Sequence, residues 1–178
     1  MSFCSRRFNL YLLAAVFGFM VSGCAHLHSK DKDKPVGVLR VHIQSEADAA
    51  GTTKSVSVLR SGPVLINVMT QPILSEADLT SARLLEAPGG CAVELKFDEA
   101  GSWTLEQFTA SNPGKHLVIF AQWSEKAEAG RWLAAPLIVH RIADGTLTFT
   151  PDASREEAAK LVKGLNVAAK KNIDKTNK

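Results

Sequence analysis

The sequence predicts an α+β fold, a two-layer sandwich in which two to three amphipathic helices pack on one face of a mixed or antiparallel sheet. Three observations predict it. Short β-rich runs with two-residue alternation are interleaved irregularly with segments of helical spacing. No glycine-rich phosphate turn joins a strand to a helix, which removes the main mark of a doubly wound parallel sheet. Of the 3 cysteines, Cys4 and Cys24 lie in or next to a leader, so Cys91 stands alone in the folding segment and a core rather than disulfides must hold the chain.

The elements follow in order. Val36 to Ile43 reads as a strand with Leu39, Val41 and Ile43 on one face. Val56 and Val58 alternate with Ser55 and Ser57, Ser61-Gly62-Pro63 turns the chain, and Val64 to Met69 forms the next strand. Ser75 caps a helix, with Asp78 closing a capping box, and Leu79, Ala82 and Leu85 are spaced to line its inner side until Pro88-Gly89-Gly90. Cys91 to Phe97 is the clearest strand, because Val93, Leu95 and Phe97 face one way and Glu94 and Lys96 the other. Asp98 caps a second helix over Ala100 to Thr109, stopped by Asn112-Pro113-Gly114. Leu117 to Ala121 is apolar enough for a central strand, and Lys126 to Gly130 is a loop. Trp132 to Val139 is broken by Pro136 and suits an edge. Asp144-Gly145 turns into a short strand over Thr146 to Phe149. Ser154 and Glu157 form a second capping box, and Ala158, Leu161, Val162, Leu165 and Ala169 recur at helical spacing.

The start of the chain has a different character. Arg6 and Arg7 precede an apolar run from Leu10 to Val21, followed by Ser22, Gly23 and Cys24. The run is shorter than the roughly 20 residues a spanning helix needs. A basic region, a short apolar core and small residues before a cut point are the parts of a secretory signal. Ending on a cysteine, it resembles a bacterial lipoprotein signal, which implies cleavage before Cys24 and acylation there, palmitate included. Ala25 resembles the sorting residue of an outer-membrane lipoprotein. The expected division is a signal over 1–23, a charged linker over 24–35, one domain over 36–171 and a fraying tail over 172–178. The expected setting is the periplasm-facing envelope, lipid-anchored, at the outer membrane in preference to the inner. The leader takes Arg6 and Arg7, leaving 19 basic residues against 18 acidic ones. That near balance, with the signs interleaved, argues against nucleic acid.

From Leu79 to Gly164 the chain resembles the SecDF P1 head subdomain family, the head of the first periplasmic domain of the SecD protein-export subunit. The pieces are Asp78-Leu79-Thr80-Ser81-Ala82, Phe97-Asp98-Glu99-Ala100-Gly101, Phe108-Thr109, Asn112-Pro113-Gly114-Lys115, Leu117-Val118-Ile119-Phe120, Ala135-Pro136-Leu137-Ile138, Phe149-Thr150, and Glu157-Ala158-Ala159-Lys160-Leu161 with Gly164. Their order and spacing carry the likeness. It departs at Ala121-Gln122-Trp123, where the family has an Asp-Gly turn and where Ser124 to Arg131 lengthens the connection, and at Ala143-Asp144-Gly145-Thr146, where a glycine-rich loop is reduced. The resemblance implies the fold and a surface for emerging polypeptide, without translocase activity.

No catalytic, cofactor-binding or metal-ligating set stands out. His42, His116 and His140 are isolated among apolar residues, and no Gly-x-Ser-x-Gly turn is present. Trp123 and Trp132 flank the polar loop from Ser124 to Arg131 at the departure from the family, so Trp123, Trp132 and Arg131 are candidate contacts for a partner. Ser75, Asp98 and Ser154 are structural caps. The leading reading is a non-enzymatic envelope module for protein or peptide, an envelope protein or unfolded polypeptide being its partner, accessory to export or envelope assembly. Two others stand beside it: a structural lipoprotein that dimerises, and a hydrolase with a scattered histidine and carboxylate site.

Overall fold

The computed structural model describes residues 37–59, 62–124 and 130–176. The leader, Cys24 and the linker, Ser61 of the first turn and most of the Lys126–Gly130 loop lie outside the described residues. The elements are β1 (Val38–Ile43), β2 (Thr53–Val58), β3 (Val64–Met69), β4 (Leu74–Ser75), a 3-10 turn (Glu76–Asp78), β5 (Leu79–Ala87), β6 (Gly90–Phe97), α1 (Glu99–Ser111), β7 (Leu117–Gln122), β8 (Gly130–Ala134), β9 (Thr146–Phe149) and α2 (Arg155–Thr176). This is the α+β layering that the sequence predicts, with two helices packed against antiparallel sheets.

The strands form a four-stranded sheet in the order β4-β1-β7-β8, a three-stranded sheet in the order β5-β6-β9, and the β2–β3 hairpin. β1 and β7 pair antiparallel over their full length, Leu39 opposite Ala121, Val41 opposite Ile119 and Ile43 opposite Leu117. Those six side chains share one face and are buried in the main core. The intervening residues Arg40, His42, Val118 and Phe120 share the other face, and the hairpin lies over it, with Val56, Val58 and Val68 buried against Val118. β8 is an edge strand, as Pro136 implies; the proline lacks the N–H to continue a ladder.

The helix expected from Leu79 to Leu85 is a strand instead. The Ser75–Asp78 capping box is present but closes only the 3-10 turn. A bulge between Leu79 and Ser81 explains the misleading spacing. Leu79 pairs with Phe97 and Ala82 with Leu95, so one extra residue puts two inward side chains three positions apart. β5 and β6 then run as a hairpin down to Ala87 and Gly90.

α2 packs Ala158, Leu161, Leu165 and Ala169 on the core. Its backbone passes β1 so closely that a Cβ on Gly37 would stand 2.3 Å from the Gly164 carbonyl carbon. Farther along, Asn166 receives the Ala82 N–H and donates to the Ala82 carbonyl, both at 2.9 Å. That side chain mimics a neighbouring strand and covers part of the β5 edge. Fraying was expected from Asn172, yet the backbone stays helical to Thr176, and Asn172 Nδ2 donates to the Glu76 carbonyl at 3.3 Å.

Candidate functional site

Alternation along β8 sends Arg131 and Trp132 to opposite faces of the four-stranded sheet. Trp132 faces the hairpin. Its ring meets His42 at 5.1 Å and Phe120 at 5.4 Å, both edge-on, with Lys54 Nζ 5.3 Å from its centroid. Arg131 lies on the helix side, its guanidinium carbon 4.8 Å from the Trp123 ring centroid. It donates to both Glu157 carboxylate oxygens, at 3.2 and 3.1 Å, and to the Asp152 carbonyl at 2.8 Å. Arg131 and Trp123 therefore come together, while Trp132 belongs to a different face. All three side chains are half-buried.

Glu157 ties this cluster to α2. Its carboxylate accepts from the Ser154 backbone N–H at 2.8 Å, and the Glu157 N–H donates to Ser154 Oγ at 3.2 Å. Hydrogen bonding to Arg131, then to the Ser154 backbone, pulls the Glu157 pKa down to about 2. Asp98 has the corresponding role at α1, where its Oδ1 accepts from the Gly101 N–H at 2.8 Å.

The groups that could carry acid–base chemistry are held separately. His42 is buried, with Nδ1 2.7 Å from the Met69 carbonyl oxygen. His116 Nδ1 lies 2.7 Å from Gln44 Oε1, and His140 is exposed. Glu94 accepts from Arg83 across β5 and β6, and Cys91 is a buried free thiol. Among the described residues, no group of three or more His, Cys, Asp or Glu could hold a metal ion.

Exposed apolar side chains mark a surface that sequence reasoning missed. On the hairpin, Leu65 is 74% exposed and Val64 50%, with Leu59 and Met69 beside them. Leu65 stands opposite Ser57 and Met69 opposite Thr53, so large apolar groups project beside short hydroxyl residues on one outer face. A signal was available: Val64-Leu65-Ile66 is apolar at consecutive positions, which on a strand commits both faces. Trp103, on α1, is a second exposed apolar group at 65%.

The family model for the SecDF P1 head subdomain matches residues 43–169. Among curated proteins none matches. A solved structure of a membrane component SecDF that enhances protein export superposes with a TM-score of 0.52 at 24% identity, covering 75% of this chain and 63% of that one. A crystal structure of SecDF in a super-membrane-facing form gives 0.53 at 24% identity, covering 75% of this chain and 19% of that one. These structures share the fold, and the chain spans less than two thirds of either. The findings correct the expected envelope address. The outer-membrane lipoprotein with palmitate on Cys24 is overturned by the likeness to SecDF, which supports a periplasmic, inner-membrane-associated domain. Among the described residues no helix is long and apolar enough to cross a membrane.

Proposed function

This chain belongs to the SecDF P1 head subdomain family, and we propose that it is a non-enzymatic module that contacts polypeptide on the periplasmic side of the inner membrane. The observation that carries the reading is the outer face of the β2–β3 hairpin, where Leu65 and Met69 stand exposed within the matched segment. A surface for polypeptide of many sequences needs apolar area without a shape-selective pocket. Leu65 and Met69 supply that area, and Thr53, Ser55 and Ser57 offer hydroxyls beside it. An accessory role in export follows as the setting in which unfolded polypeptide meets such a surface. The Arg131–Trp123 cluster is a second candidate contact at the loop that departs from the family pattern.

The test is binding of a fluorescent, permanently unfolded polypeptide to the full-length chain, read by anisotropy. Burying a leucine contributes about 1.5–3 kcal/mol, so the double variant Leu65→Ser, Met69→Ser is expected to weaken binding about tenfold or more. Its circular dichroism should match the parent. Unchanged affinity in a folded double variant contradicts the hairpin site. If Trp123→Ala weakens binding instead, the contact moves to the loop cluster. Elution volume of the chain alone reads the competing structural role, self-association through a sheet edge.

A further inference from the structure

The apolar interior is divided in two. The main cluster lies between the sheets and the helices. A second, smaller cluster of Val56, Val58, Val68 and Val118, flanked by Ile66, Trp132 and Ala135, lies between the hairpin and the back of the four-stranded sheet. Among the described residues, His42 is a buried polar side chain at this second interface, 3% exposed, next to the backbone bond from Ser45 N–H to the Asn67 carbonyl that also ties β3 to the sheet. Its ring is fixed on β1, its Nδ1 reaches the Met69 carbonyl oxygen at the end of β3 at 2.7 Å, and Trp132 of β8 packs edge-on against it at 5.1 Å. A carbonyl oxygen only accepts, so Nδ1 carries the hydrogen and the neutral ring keeps its lone pair on Nε2.

Among the described residues, two charged side chains act on this ring, and both are cations. Arg40 comes from the same strand, β1, where it is paired with Glu76, and Lys54 comes from β2. From β3, β7 and β8 the ring meets the Met69 carbonyl, Val118 and Trp132, none of them charged.

We infer that His42 is the pin of an acid-released latch. As the neutral ring it clips the hairpin to the sheet, and as the imidazolium it lets the hairpin lift away. Protonation would place a cation in a nearly dry interface beside Lys54 and Arg40. Burial lowers the His42 pKa from 6.5; the hydrogen bond to Met69 opposes this, and Lys54 and Arg40 add to it. A histidine depressed in the closed state takes up its proton more readily when open. Its contribution to closure is therefore whole above the ordinary 6.5 and is lost as pH falls through that value toward the lower closed-state one. Since the second cluster is separate, opening leaves the main core in place. It bares Val118, Phe120 and Trp132 on the sheet and Val56, Val58 and Val68 on the hairpin, an apolar surface hidden at neutral pH. The latch stands whether or not the closed hairpin binds polypeptide.

Hydrogen exchange of the full-length chain, read by mass spectrometry and corrected for intrinsic rates, tests this at about pH 7.5 and about pH 5. Protection of the peptides covering Thr53–Val58 and Val64–Met69 is expected to fall by up to about tenfold per pH unit, while that of Gly90–Phe97 holds. His42→Asn keeps a donor for the Met69 carbonyl without titrating, and its hairpin protection is expected to stay level. An NMR titration of the parent should find His42 protonating below the ordinary 6.5. Four results overturn the latch: hairpin protection indifferent to pH, an equal loss in β6, an equal loss in the asparagine variant, or His42 protonating at or above its ordinary value.

Discussion

Gly37 shows how one residue fixes the position of a strand. Adding a methyl group there would drive it to 2.3 Å from both the Gly164 carbonyl carbon and the Leu165 nitrogen, backbone atoms that cannot turn aside. Gly37→Ala is expected to cost about 1–3 kcal/mol, read as a lower urea midpoint with an unchanged slope. Asp98 is a smaller case of the same dependence on one side chain. Its carboxylate satisfies the free Gly101 N–H at the start of α1, so Asp98→Ala should lose about 1 kcal/mol in the same assay. That role was legible because capping is local: an Asp before a helical run needs no distant partner. The tryptophans were legible only in part. Flanking one loop in sequence did not place Trp123 and Trp132 on one surface, because strand alternation turns Trp132 toward His42 and Phe120 while Trp123 stacks with Arg131.

At the scale of elements, β5 separates what spacing can and cannot convey. The inward residues Leu79 and Ala82 imitate a helix because a bulge adds one residue between them, and only pairing with β6 reveals the strand. Asn166 of α2 meets the exposed edge of β5 by bonding both backbone groups of Ala82. Asn166→Ala strips both partners at once and is expected to cost about 1–3 kcal/mol in urea unfolding. The same loss should raise proton exchange at the Ala82 amide. At the other end of α2, Glu157 joins the capping box to β8 through Arg131. With its pKa drawn from 4.5 down to about 2, its contribution is present above 4.5 and is lost as pH falls toward 2. Thermal melts across that acid range should show a steeper decline for the parent than for Glu157→Gln.

For the whole molecule, the sheet order and the layering rest on contacts between distant segments. Residue patterns named most strands and both long helices, since alternation and helical spacing are written locally. They did not say that the β2–β3 hairpin would cover the Arg40–His42–Phe120 face, nor that Leu65 would be left outside it, because both depend on how the hairpin lands on the sheet. The family was legible to the extent that ordered pieces, from Asp78 through Gly164, foreshadow the match over residues 43–169. The outer-membrane address was read from the leader alone, and the folded domain's likeness to SecDF corrects it. The central claim is that the hairpin's outer face meets polypeptide in transit. It is tested most directly by a photoreactive amino acid in place of Leu65 in intact cells exporting an arrested reporter chain, with the same probe at the exposed Lys163 of α2 as reference. Reporter crosslinks at Leu65 that vanish when export is blocked, with none at Lys163, are the expected result; equal labelling at both positions, or none at Leu65, would contradict it.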